Sequence, residues 1–130
     1  MRIISGKFRG KKLIKFNKEG IKPTTDKTRE SIFNIVISYL QINEKKKNLP
    51  FEDFNVLDIF AGTGALGFEA ISRGAKNVTF IEKSPDNLRV LYKNADHLKV
   101  NEKVEIIKRS INKVKRIEGS FDLIFMDPPY

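Results

Sequence analysis

The residues whose types and spacing could do chemistry are a glycine cluster, three carboxylates and one proline-rich tetrapeptide. Gly62, Gly64 and Gly67 follow the apolar run Val56-Leu57-Asp58-Ile59-Phe60, and a helical pattern follows them until Gly74. A glycine turn between a strand and a helix lets backbone approach a ligand that a Cβ would exclude, and the helix start offers N–H donors. The expected ligand is a nucleotide or nucleoside, although this spacing also satisfies the dinucleotide pattern and does not name the cofactor. Glu82 closes the next apolar run, where an acid can accept hydrogen bonds from both hydroxyls of a ribose. Asp127-Pro128-Pro129-Tyr130 ends the chain after the run Phe121–Met126. Two prolines fix φ and push the preceding residue toward extended geometry, so Asp127 and the Pro128 carbonyl should be held stiffly at a strand end.

The elements that must position these groups are legible in the apolar periodicity. Residues 55–60, 77–82, 104–108 and 121–126 read as strands, and 65–73, 85–98 and 110–117 as helices. This alternation implies an α/β fold with a parallel, doubly wound sheet and helices on both faces. Open α/β sheets bind ligands outside the carboxyl ends of their strands, where the glycine turn, Glu82 and Asp127 all fall. Upstream, Thr24, Thr25 and Asp26 can cap a helix that begins near Thr25 or Asp26. Ile32, Phe33, Ile35, Val36, Ile37, Tyr39, Leu40 and Ile42 give that helix a broad apolar face, expected to lie buried on the sheet. Residues 44–50 read as a charged loop. The division is therefore an arm and helix over 1–50 packed on a core over 51–130.

Composition narrows the class. The 130 residues are 40% hydrophobic with 10 Phe, enough for one folded domain with a core. No apolar run approaches the roughly 18 residues that span a bilayer, so no membrane partner is expected. The first residues lack the apolar stretch of a secretory signal, and zero Cys excludes disulfides and thiolate metal sites. A cytoplasmic setting is expected. His97 is the only histidine and reads as a surface residue, so no metal is expected either. The net charge is +9, and residues 1–30 hold 10 Lys or Arg against 3 acids, so most of the excess lies in the arm. Such an asymmetry fits a phosphate-contacting surface on a nearly neutral domain. Arg2–Ser5 and Lys12–Phe16 read as a small hairpin joined by Gly6–Gly10, which must dock on the core or on RNA because two strands alone are marginal. Arg2, Lys7, Arg9, Lys11 and Lys12 are its candidate phosphate contacts, with Arg29 added from the following helix; Phe8 would stack on a base or pack in the hairpin.

With these residues in view, the chain resembles a known family. Phe125-Met126-Asp127-Pro128-Pro129-Tyr130 looks like the signature of S-adenosyl-L-methionine-dependent methyltransferases that modify exocyclic amines of bases, and Val56–Gly67 looks like their cofactor loop. Together with Met1–Gly6 and Lys22–Asn34, the whole chain resembles the bacterial 16S ribosomal RNA guanine-N2 methyltransferases. The resemblance implies a Rossmann-like class I methyltransferase sheet, of which these are the first four core strands. It implies S-adenosyl-L-methionine as cofactor and 16S rRNA or a 30S subunit assembly particle as partner. Asp58, Gly62 and Gly64 would line the methionine end of the cofactor, Glu82 would hold the ribose, and Arg109 or Ser110 would approach the adenine. Asp127 and the Pro128 carbonyl would accept hydrogen bonds from the target amine, while Tyr130 would stack on the base.

The chemistry fits that assignment. A purine amine is a poor nucleophile, and two acceptors gripping its hydrogens turn the nitrogen lone pair toward an electrophilic methyl group. Members of the family continue past the aromatic residue with further helices and about three more strands. The chain therefore reads as a truncated or split product, expected to be inactive alone and to pair with a missing C-terminal half. Two other readings stay open: a dinucleotide-dependent oxidoreductase domain, and a non-catalytic RNA-binding remnant with a basic arm.

Overall fold

The computed structural model describes residues 1–15, 24–46 and 48–129. Expectations that fall on Phe16, on Lys22 and Pro23, on Lys47 and on Tyr130 lie outside the described residues. Seven elements make up the frame: α1 (Asp26–Tyr39), β1 (Asn55–Ile59), α2 (Ala65–Ser72), β2 (Asn77–Ile81), α3 (Pro85–Leu98), β3 (Val104–Ile107) and β4 (Leu123–Met126). The strands form one parallel sheet in the order β3-β2-β1-β4. Chain order runs outward from β1 through β2 to β3, then jumps back to β4 on the other side of β1. That reversal is the switch point at which open α/β sheets leave a crevice.

One face of the sheet is thickly covered. Val56, Val78, Phe80 and Phe125 meet Leu66, Phe68 and Ile71 of α2, Leu91, Ala95 and Leu98 of α3, and Phe33 of α1. Ile3 and Leu13 of the N-terminal arm are 2% and 5% exposed and belong to the same cluster, so the arm is part of the core. The other face carries Leu57, Ile59 and Ile81, covered by Phe60, Ile107, Ile111, Val114, Ile117 and Phe121. Here the expected helix over 110–117 is replaced by a 3-10 turn at Ile111–Lys113 and an extended strip. Apolar residues three apart at 111, 114 and 117 satisfy a short helix and this strip equally, and β-branching at all three lowers the helical alternative. The expectation of helices on both faces is corrected accordingly: among the described residues, all three α-helices contribute to the first face.

Helix α1 starts where its cap predicts, with Thr25 Oγ1 accepting from the Thr28 N–H at 3.1 Å. Its burial is narrower than expected. Phe33 is fully buried, and its ring lies 5.3 Å from Phe125 and 5.7 Å from Phe51, but Ile35 and Tyr39 are 67% and 84% exposed. Only one side of the helix meets the sheet among the described residues.

The arm is also tighter than a hairpin. Arg2 and Lys12 form a single antiparallel bridge, and the chain between them folds back through Ile3 N–H to Lys11 O at 2.9 Å and Gly10 N–H to Ile3 O at 2.9 Å. Its backbone is seated on α2: the Ile4 and Ser5 N–H groups donate to Glu69, and the Phe8 N–H donates to Ser72 Oγ at 2.9 Å.

Close approach of α2 to the sheet depends on Gly67. A Cβ there would collide with the Phe80 ring and stand 2.9 Å from Val78 Cγ1, both in the rigid core. Gly67→Ala should therefore destabilise the fold by about 1–3 kcal/mol through overpacking. Urea denaturation followed by circular dichroism measures this directly, and an unchanged midpoint would contradict the close packing.

Candidate active site

The carboxyl edge of the sheet gathers most of the residues singled out from the sequence. Asp58 is the fourth residue of β1 and is paired in register with Phe80 and Phe125. It is 2% exposed, and its Oδ2 accepts from the Gly67 N–H at 3.1 Å, which ties the strand to the first turn of α2. After β1 the backbone enters the left-handed region at Phe60 (φ 60°), Gly62 (φ 60°) and Gly64 (φ 92°). Phe60 is the costly one, because a bulky side chain in that region stores strain that only a well-determined surrounding retains. The turn is closed by Ala61 N–H to Ile81 O and Gly64 N–H to Ala61 O, each at 3.0 Å.

Glu82, one residue beyond β2, locks the same turn from the other side. Its Oε1 accepts from the Gly62 N–H at 3.2 Å, and its Oε2 accepts from the Lys83 and Ser84 N–H groups at 3.2 and 3.3 Å. Arg109 and Ser110 follow β3 at the same edge; Arg109 is exposed and Ser110 half-buried. Asp127 and Pro128 follow β4, one step past the Ile59–Met126 pair, and both are exposed. Asp127 Oδ2 accepts from Thr24 Oγ1 at 3.3 Å, which brings the segment before α1 to this edge.

The electrostatics favour a cation. Burial pushes the Asp58 carboxyl up to about 7, the Gly67 N–H opposes this, and the charges of Asp127 and Glu82 raise it further. Asp58 thus feels the charges of both other carboxylates at this edge. The N–H groups of Gly62, Gly64 and Gly67 are all taken by protein acceptors, so the glycines themselves offer no free donor to an anion. A pyrophosphate at the glycines would meet the Glu82 and Asp58 carboxylates, which favours a cationic ligand over an anionic one there.

The two glycines divide the work. A Cβ on Gly62 would meet nothing within 4 Å, so the turn leaves open space beside the Glu82 carboxylate. A Cβ on Gly64 would strike the side chains of Phe68 and Leu91, so that glycine also serves close packing as the N-cap of α2. An open cradle lined by fixed acceptors fits a nucleoside with a cationic tail, and Asp58, Gly62, Gly64 and Glu82 are the residues that would hold it.

The basic residues separate into two groups. Arg2, Lys7, Arg9, Lys11 and Lys12 are exposed on the arm. The Lys7 and Lys11 ammonium groups lie 5.9 and 5.4 Å from the centre of the Phe8 ring, and Phe8 is partly buried against the core. Arg29 does not belong with them. It is fully buried, with Nη2 bonded to the Arg2 carbonyl and, at 3.1 Å, to Asp26, and with Nε 3.6 Å from Glu69. Its guanidinium faces the interior because α1 packs on α2, so its assignment to RNA contact is corrected to a structural tie. His97 is exposed in the last turn of α3, as expected.

Polar residues that sequence reasoning passed over prove central to this arrangement. Glu69 and Ser72 seat the arm, and Asn94 joins the arm to the glycine turn. Asn94 left a trace in the sequence, as a polar residue on the apolar stripe of Leu91, Ala95 and Leu98. Among the described residues, no cluster of three or more His, Cys, Asp or Glu side chains is placed to hold a metal ion, and no helix is long and apolar enough to cross a membrane.

Comparison with known proteins places the arrangement in a family. Ribosomal RNA small subunit methyltransferase D of Haemophilus influenzae is 40% identical over 134 residues, a match covering 100% of this chain and 64% of that protein. The protein of the same name from Escherichia coli is 34% identical over 130 residues, covering 100% of this chain and 60% of its own length. The chain thus spans less than two thirds of these relatives. A solved Haemophilus influenzae structure superposes with a TM-score of 0.67 at 36% identity, covering 99% of this chain and 64% of that one. The model of the family described as Conserved hypothetical protein 95 matches residues 1–130, and the chain belongs to that family.

Proposed function

We propose that this chain carries the cofactor-binding and catalytic part of an S-adenosyl-L-methionine-dependent methyltransferase that acts on the exocyclic N2 amine of a guanine in 16S rRNA. The observation that carries the reading is the placement of Asp127-Pro128 at the same carboxyl edge of the sheet as the Asp58–Gly62–Glu82 cradle, with the Asp127 charge felt by Asp58. The names of the relatives support an rRNA substrate. The bound cofactor would supply an electrophilic methyl group on a sulfonium sulfur. Glu82 accepts from the ribose hydroxyls, and ionised Asp58 favours the cationic end. Arg109 or Ser110 borders the adenine. Asp127 and the Pro128 carbonyl grip the two amine hydrogens, orient the nitrogen lone pair, and Asp127 or water takes the proton released after transfer. Tyr130 is assigned to stack on the base, a contact worth about 1–3 kcal/mol that offsets unstacking.

The exposed arm side chains Arg2, Lys7, Arg9, Lys11 and Lys12 supply the phosphate contacts, on 16S rRNA or a 30S assembly particle. In this reading residues 1–50 serve the RNA and 51–130 serve the chemistry.

The direct test incubates the chain with methyl-tritiated S-adenosylmethionine and under-methylated 30S particles. A second arm uses the chain extended by the C-terminal portion its relatives carry; label recovered as N2-methylguanine from the extended chain is the expected outcome, and label in another base would overturn the guanine assignment. Asp127→Ala should lower transfer at least about a hundredfold, the scale of losing an oriented acceptor, while cofactor affinity measured by calorimetry stays within a factor of about three.

Asp58 gives a separate, pH-dependent expectation. Its carboxyl rises from 3.8 to about 7 on folding, so the ligand-free folded state binds the proton more tightly than the unfolded chain. The stability this group contributes is complete below pH 3.8, falls as pH rises, and levels off above about 7. Asp58→Asn should flatten that slope in thermal melts. Affinity for S-adenosylmethionine should rise with pH through the same upper limit in the wild type and stay flat in the variant.

A further inference from the structure

Asn94 is fully buried on α3 and spends its whole amide on two distant pieces of backbone. Its Oδ1 accepts from the Ile14 N–H at 2.7 Å, and its Nδ2 donates to the Ile14 carbonyl at 3.1 Å. The second Nδ2 hydrogen goes to the Thr63 carbonyl at 3.1 Å. The amide therefore treats Ile14 as a neighbouring strand would, satisfying both of its backbone groups. At the same time it holds the residue between Gly62 and Gly64, in the turn that forms the cradle.

These bonds join two parts of the molecule that are otherwise separate in sequence and in role. Ile14 follows Lys11 and Lys12 and precedes Lys15, all exposed on the arm. Thr63 belongs to the loop where β1 hands over to α2, and its neighbours carry left-handed φ values. An amide is planar and rigid, so displacement of Ile14 must turn or shift Asn94, and a turned Asn94 leaves the Thr63 carbonyl without its donor. That part-buried carbonyl loses a hydrogen bond it makes now, so the two ends favour one joint arrangement.

Resting on the function proposed above, we propose that Asn94 is a positioning residue that couples the seating of the basic arm to the shape of the glycine turn. RNA on the arm and nucleoside in the cradle then bind with positive cooperativity. Whichever ligand arrives first stabilises the joint arrangement that the shared amide holds, and the second meets a turn or an arm already fixed in its binding form. The coupling is reciprocal, because it is a free energy shared by the two sites.

Calorimetric titration of the chain with S-adenosylhomocysteine, in the absence and presence of saturating deproteinised 16S rRNA, reads the coupling. RNA should tighten S-adenosylhomocysteine binding about fivefold or more in the wild type. In Asn94→Asp, which keeps the Oδ1 acceptor but loses both Nδ2 donors, the ratio should fall to about one. A gentler variant guards against loss of folding. Ile14→Pro, at a residue 41% exposed, removes the N–H whose bond Asn94 Oδ1 accepts, and fixes φ at that position. It should shift the amide resonances of Gly62 and Gly64 in the ligand-free protein while leaving that of Gly119 in place.

A wild type that binds both ligands with no mutual effect overturns the coupling and leaves the proposed function standing. A wild type that binds neither ligand overturns the proposed function. The resonances then decide the inference alone: Gly62 and Gly64 moved by Ile14→Pro uphold the link, and unmoved they refute it.

Discussion

The carboxylate of Glu69 is the contact on which most of this structure depends. It is fully buried and accepts from the Ile4 N–H at 2.8 Å, the Ser5 N–H at 3.2 Å and Arg73 Nε at 3.1 Å, with Arg29 Nε 3.6 Å away. One anion thus meets the arm, α1 and its own helix. A buried charge is tolerable only when paired and hydrogen-bonded, and removing one partner of such a set typically costs about 3–5 kcal/mol. The neighbouring cations are held in turn: Arg73 lies 4.6 Å from the centre of the Phe33 ring, and Arg29 is bonded to the Arg2 carbonyl. Arg29 Nη1 has no hydrogen-bond partner, so the cluster bears an unrelieved desolvation cost. The geometry gained in exchange fixes the start of α1, and with it Thr24 beside Asp127.

Charge is distributed with opposite signs over the two working regions. The arm presents exposed lysines and arginines, while the sheet edge collects Asp58, Glu82 and Asp127. Phosphates are drawn to the first and repelled from the second, which keeps a polyanion out of the cradle while a cationic small molecule is drawn in. Asp58 sits at the balance point. Burial and its acidic neighbours make its charge expensive in the ligand-free state, and an incoming cation offsets that expense.

Much of the sheet was legible because parallel strands are short apolar runs, as 55–59 and 77–81 are where both faces are covered and 123–126 is where one face stays open. The turn and its acids were legible because glycine clusters and strand-end carboxylates have few other uses. Three things were not. The strip after β3 looked helical because a three-residue spacing does not distinguish a helix from a 3-10 turn followed by extended chain. The depth of α1 was overestimated because apolar residues show which surfaces can be covered and not whether a neighbour covers them, as Ile35 and Tyr39 show. Arg29 was misread because an arginine among helix-capping residues looks solvated until the partner that neutralises it, Glu69 on another helix, is known. Long-range polar pairing leaves no periodicity to read.

The order in which the chain is made gives the β1–β4 pairing a further meaning. Asn55 donates to the Asp122 carboxylate across 67 residues, so β1, flanked by two strands in the finished sheet, must wait for a partner made long after it. β1, α2, β2, α3 and β3 can wind up as successive local crossovers, whereas β4 closes a long loop and carries a larger entropic delay. On a ribosome the arm emerges first, yet its seats on α2 and α3 come later, leaving Ile3 and Leu13 uncovered meanwhile. The cradle would take shape with the first crossovers, and Asp127 would reach it only at the last. Vectorial synthesis thus settles the glycine turn before Asp127 can join the same edge.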